Sequence, residues 1–144
     1  MTKGTIFYHK KFEFSDGETG RKLLILLNEP QGNEPYLFCK TTSKKKYNLE
    51  NEGCYSDKNI YILLPGNKCF NKKTWVQFHE LYEISINDLL KAKCNGNIEI
   101  KSKLDKRTIH SLILCITKSE DISNYHLSLL EGLQGFSQLL QKFS

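Results

Sequence analysis

The sequence predicts a mainly β, α+β fold: a small twisted barrel of roughly five to seven strands with short helices and a C-terminal helical segment. Three observations carry that expectation. The first half strings together short β-branched, aromatic and apolar runs; Pro, Gly, Asn and Asp punctuate them; the second half turns to apolar residues at helical spacing. The 144 residues suffice for a single domain, with a core from about residue 4 to about residue 118 and a helical extension over 119–144.

The elements are expected in this order. "GTIFYH" reads as a strand, and "FSDGETG" after it carries the Asp-Gly and Gly of a tight or mobile loop. "KLLILLN" is continuously apolar, as a strand covered on both faces is, and "NEPQGNEP" closes it. "YLFCKTTS" alternates as a half-buried strand does. The cationic "KKKYN" and the polar "LENEGCYSDKN" read as an exposed connection. "IYILLP" and "TWVQF" form a hairpin around "GNKCFNKK", with "LYEIS" as one further strand. "INDLLKA" suits a short helix that "NGN" ends. Ser102 and Asp105 resemble a capping pair, and Ile109, Leu112, Ile113 and Ile116 recur at helical spacing, so an amphipathic helix is predicted over 103–118 with its apolar stripe covering the barrel. Beyond it, Leu127, Leu130 and Leu133 are placed to dock on the core or on a partner, plain packing being the favoured reading.

Hydrophobic residues at 39% and charged residues at 26% describe a chain that folds rather than a disordered one. The apolar runs "LLILL" and "YILLP" fall far short of a bilayer span, and "MTKGTIFYHKK" has no secretory apolar segment, so a cytoplasmic protein without membrane contact is expected. Cys39, Cys54, Cys69, Cys94 and Cys115 are odd in number, widely spaced and without a C-x-x-C pair. They are expected to be reduced thiols, with no metal site and no cofactor. A catalytic cysteine paired with one of the four histidines has no local motif behind it. The net charge of +5 is confined to the first half: residues 1–75 hold 13 Lys and Arg against 8 Asp and Glu, and residues 76–144 hold 8 of each. Such asymmetry suits a polyanion, nucleic acid foremost, although a solubility role for lysine is the commoner source of a modest excess.

Arg21 is one of only two arginines, in a chain that otherwise uses lysine for positive charge. Its planar donor fork fits a phosphate and stays charged at any physiological pH; pairing with Glu18 is the plainer alternative. If "KLLILLN" and "YLFCKTTS" are antiparallel neighbours, Arg21 at the start of the first lies level with Thr42 and Ser43 at the end of the second. Lys44, Lys45 and Lys46 follow at once, and Asp16 and Glu18 precede in the loop. The set reads as a phosphodiester pocket. A solvated turn is the alternative for "TTSKKK".

The order "KGTIFYH…DGETGRKLLILLN…YLFCKTTS…TWVQFHELYEIS…NGNIEIKSKLDKRTIHSLILCI", from about Gly4 to about Ile116, resembles the MazF/PemK (Kid) family of toxin endoribonucleases from toxin–antitoxin pairs. The resemblance implies an SH3-like barrel, with Arg21 in the place of the family's catalytic arginine, Thr42 in that of its catalytic threonine with Ser43 beside it, and Asp16 as a proton acceptor. Asn28 matches a residue at that strand's end. Lys22 replaces the family's proline, and "VQFHELYEIS" lacks the arginine and aspartate of several members, with His79 standing near that place. The implied reaction is metal-independent cleavage of single-stranded RNA by 2′-hydroxyl attack. Arg21 would stabilise the phosphorane, Thr42 or Ser43 would donate to a non-bridging oxygen, and Asp16, Glu18 or His79 would accept the proton. Lys44 to Lys46 would hold flanking phosphates, and Tyr47 or Phe78 would stack on bases. The family also implies a homodimer and a cognate antitoxin. The competing class is a non-catalytic barrel that binds a protein or nucleic acid. The gyrase poisons sharing that fold depend on a C-terminal Trp-Gly-Ile, whereas this chain ends "LLQKFS".

Overall fold

The computed structural model describes residues 1–15, 17, 22–66 and 68–130. Among these residues seven strands form one antiparallel sheet: β1 (Thr5–His9), β2 (Leu23–Leu26), β3 (Tyr36–Thr42), β4 (Gly53–Tyr55), β5 (Ile60–Leu63), β6 (Thr74–Ile84) and β7 (Ile98–Lys103), in the order β4-β5-β6-β3-β2-β1-β7. Helix α1 (Ile86–Cys94) joins β6 to β7, α2 (Lys106–Thr117) follows β7, and residues 124–130 are helical. The fold is thus α+β, but its ladder stops at β4 on one side and β7 on the other. The sheet is not closed into a barrel.

It is nevertheless strongly curled. A Cβ on Gly4, just before β1, would touch Ile109 of α2 at 3.4 Å, while Cys115 of the same helix is joined to Cys54 of β4. Ile109 and Cys115 lie about 9 Å apart along the helix axis. In a flat sheet the five strand intervals from β1 to β4 would span about 24 Å. Helix α2 therefore sits in the hollow of the sheet, where closure would otherwise bring the edges together. Gly4, at φ +92°, is the close approach that lets it in: its carbonyl accepts from Leu104 N–H and its N–H donates to the Leu26 carbonyl.

Alternation along the strands builds two layers. Ile6, Ile25, Leu37, Cys39, Val76 and Phe78 face α2, where Ile109, Leu112, Cys115 and Ile116 complete the main core. Phe7, Leu24, Leu26, Phe38 and Tyr82 face the other way, under Leu89 of α1 and a set of edge-on rings including Phe12 and Phe14. Strand β2 is thus buried on both faces, as its unbroken apolar run requires. Asn28 closes the β2–β3 hairpin, accepting from Leu37 N–H at 2.7 Å and donating to the Pro35 carbonyl at 3.1 Å.

Four expectations are corrected. "TWVQF" and "LYEIS" are one 11-residue strand, bent by a register shift opposite Phe38–Lys40. "LENEGCYSDKN" is not all connection but contains β4 and a 3-10 turn, Ser56–Lys58. Helix α2 starts at Lys106, because the predicted Ser102 is still in β7; Asp105 alone is the cap, accepting from Thr108 N–H at 2.7 Å. Cys54 and Cys115 are not thiols but a disulfide, with Cys39, Cys69 and Cys94 free. Of the expected Leu127, Leu130 and Leu133, Leu130 packs on the main core, joined by Leu129; Leu127 is half-buried and not part of that cluster, and Leu133 lies outside the described residues.

The Thr108 hydrogen bonds hold the Asp105 carboxyl below the usual carboxylate range. A depressed folded value means that its contribution is complete above the ordinary carboxylate pKa of about 4 and is lost as pH falls through the lowered one. Asp105→Asn is expected to flatten that part of the acid limb in melts followed by circular dichroism. An unchanged limb would refute the link.

Asn59 holds a left-handed conformation (φ 56°) at the start of β5 and is buried. Its amide donates to Asp121 at 2.7 Å, and its side-chain oxygen accepts from the Ser119 hydroxyl, so the segment after α2 is tied to the β4–β5 turn. Asn59→Ala loses both bonds and favours right-handed backbone; a cost of about 2–4 kcal/mol in urea denaturation is expected. A loss below about 0.5 kcal/mol, the scatter of ordinary surface changes, would show that the tie is idle.

Candidate nucleic-acid interface

Pairing of β2 with β3 sets Leu24 opposite Lys40, and the Thr41 hydroxyl donates to the Leu23 carbonyl at 2.8 Å, carrying the pair to its end. One step further, Lys22 and Thr42 line an open depression of about 390 Å³ together with Ser43, Asn71, Lys72 and Thr74. The Thr42 hydroxyl accepts from Lys44 N–H at 3.2 Å, a local turn that swings the chain out of β3 and leaves Ser43 exposed. Lys22 Nζ stands 5.7 Å from the centre of the Phe14 ring.

A second depression, of about 400 Å³, begins at Ser43 and is lined by Lys45, Asn48, Leu49, Glu50, Lys73 and Trp75. The two share Ser43 alone: Trp75 and Leu49 belong with Ile60 and Ile62 on one face of the sheet, whereas Leu23, Cys69 and Phe70 belong with the main core on the other. Lys73 is fixed at its floor: its ammonium donates to the Leu49 carbonyl and lies 4.9 Å from the centre of the buried Trp75 ring. Lys22 and Lys72 thus border the first depression and Lys45 and Lys73 the second, where Glu50 is the only carboxylate among the described lining residues of either.

Thr42, Ser43 and Lys45 are therefore brought together. Arg21, Asp16 and Glu18 lie outside the described residues; Lys22, next to Arg21 in sequence, is in the first depression. Lys44 and Lys46 are exposed on the same turn without lining either hollow. Tyr47 is exposed, with Lys58 Nζ 5.5 Å from its ring centre. His79 is exposed on β6, four residues and so about 13 Å along the strand from Trp75, and borders neither depression. Phe78 cannot stack on a base. Its parity with Val76 turns it into the main core, where it is 4% exposed.

Asn71, Lys72 and Lys73 were not singled out by sequence. Their place follows from β6 pairing with β3, Trp75 opposite Thr42, which brings the end of the β5–β6 loop beside the "TTSK" turn. Cys69 also borders the first depression, but burial pushes its thiol upward, and Cys39 is pushed up too by full burial. Neither carries the lowered pKa of an activated nucleophile. Among the described residues no cluster of His, Cys, Asp and Glu is placed to hold a metal ion, and no helix is long and apolar enough to cross a membrane.

No protein-family model, curated protein or solved structure matches this chain.

Proposed function

We propose that this chain is a MazF/PemK-type endoribonuclease, the toxin of a toxin–antitoxin pair, which cleaves single-stranded RNA in the cytoplasm without a metal. The observation that carries this reading is the meeting of Thr42 and Ser43 with Lys22, the neighbour of Arg21, in a lysine-bordered open cleft. In the reaction the ribose 2′-oxygen attacks phosphorus, the bond to the 5′-oxygen breaks, and a cyclic phosphate and a 5′-hydroxyl result. Arg21 neutralises the phosphorane without surrendering its proton, and Thr42 or Ser43 donates to a non-bridging oxygen. Asp16 or Glu18 is the proton acceptor. The cleft's distance from His79 speaks against that residue. The same reading treats the curled sheet as an SH3-like barrel, supported by α2 bridging its ends, and takes the active form as a homodimer whose cleft the antitoxin covers.

Incubating the purified chain with single-stranded RNA in EDTA and mapping new 5′-hydroxyl ends tests it. Cleavage that survives the chelator is expected; intact RNA bound tightly would transfer the site to the second reading, a binding module without chemistry. One observation favours that alternative: the described lining of either depression holds no histidine, and the one carboxylate, Glu50, lies in the second rather than beside Thr42.

A further inference from the structure

We infer that the Cys54–Cys115 disulfide is a redox latch on the second depression: closed, it holds β4 and residues 48–52 over Trp75, and opened by a dithiol reductant it releases them. Strand β4 is three residues long, lies at the sheet edge and pairs with β5 alone among the described strands. Beyond that ladder the segment is tied by Leu64 N–H donating to the Glu52 carboxylate at 3.3 Å and by Lys73 donating to the Leu49 carbonyl. Neither Leu49 nor Tyr55, the side chains it lays against Trp75, is itself fully buried. Alternation along β4 turns Cys54 towards α2 and its neighbour Tyr55 towards Trp75, so one bond on one face of the sheet fixes the cover on the other. Asn48, Leu49 and Glu50 form a wall of the depression, so their release opens it and takes from Lys73 the carbonyl that holds it.

The exchange has a defined direction. Cys54 is exposed and Cys115 is buried, so a thiolate of the dithiol attacks the Cys54 sulfur. The bond to Cys115 breaks; Cys115 leaves with the electron pair and takes a proton. The second thiol of the reductant then displaces Cys54 and closes the reductant's own disulfide, so two electrons pass to the protein.

Trp75 is the chain's one tryptophan, so its emission reports the latch. In the full oxidised chain at 25 °C it is expected to emit as a buried indole. Dithiothreitol is expected to shift the emission to the red and to raise acrylamide quenching roughly twofold or more, with far-UV circular dichroism retained, as local opening requires. Glutathione disulfide should restore the oxidised spectrum, and Cys54→Ser should show the reduced spectrum whether or not reductant is present. Unchanged emission and quenching in a chain whose thiols titrate as reduced would overturn the latch, even if the melting midpoint falls. Loss of the far-UV spectrum on reduction, or failure to reseal, would equally make the bond a structural brace.

Discussion

Arg21→Ala is expected to lower the rate of RNA cleavage roughly 10²- to 10³-fold, the usual cost of removing one donor aimed at a developing oxyanion. The loss belongs in kcat, because the guanidinium is asked to interact with the phosphorane more strongly than with the ground-state diester. Arg21→Lys should recover only part of it, since an ammonium keeps the charge and loses the fork that grips two oxygens at once. Thr42→Val tests the other side of the cleft. It keeps the β-branched shape at the end of β3 but removes the hydroxyl that turns the chain through Lys44 N–H, so a rate loss is expected with little change in melting. Parental rates in both Arg21→Ala and Thr42→Val, measured on one fluorogenic RNA, would remove the chemistry from this cleft.

Breaking the Cys54–Cys115 bond is expected to produce the largest stability change in the molecule. The bond closes a segment of 61 residues, for which the chain-entropy model gives about 4 kcal/mol, or roughly 10–15 °C in the melting midpoint of a chain this size. Cys54→Ala is the cleaner variant, because Cys54 is exposed whereas Cys115 is 1% exposed, and truncating the latter would add a cavity. Thiol titration of the denatured oxidised chain should find three free groups, rising to five after a dithiol reductant. Coincident melts with and without reductant would show that the cross-link adds nothing. Because Cys54 is the exposed partner, a thiolate would meet the bond from its side. The strand it anchors, β4, packs through Tyr55 together with Leu49 over Trp75, the floor of the second depression.

What the sequence disclosed, and what it withheld, follows from how each element is stabilised. Strand β2 was legible because burial on both faces leaves an unbroken apolar run, and α2 because Ile109, Leu112 and Ile116 repeat along one buried stripe. Strand β7 was not: an edge strand with Ile100 half exposed and lysines facing solvent has too few apolar positions to declare itself. Strand β4 is three residues long, shorter than any periodicity can register. The cross-link joins residues too distant in sequence for spacing to reveal. Half of the cleft could be inferred, since antiparallel neighbours place the end of β3 beside the start of β2. The other half, Asn71 to Lys73, depends on which strand flanks β3 on its far side, a fact of register that no local motif encodes.

Strand β1 is completed only by residues far along the chain from it. Ile6 pairs with Ser102, and Gly4 receives Leu104 and Ile109, so β1 waits for β7 and α2 before its outer neighbour and its helical cover exist. A polypeptide emerging from the ribosome would therefore carry Ile6, Ile25 and Leu37 without their helical cover until α2 has been made, and pairings this distant in sequence slow folding.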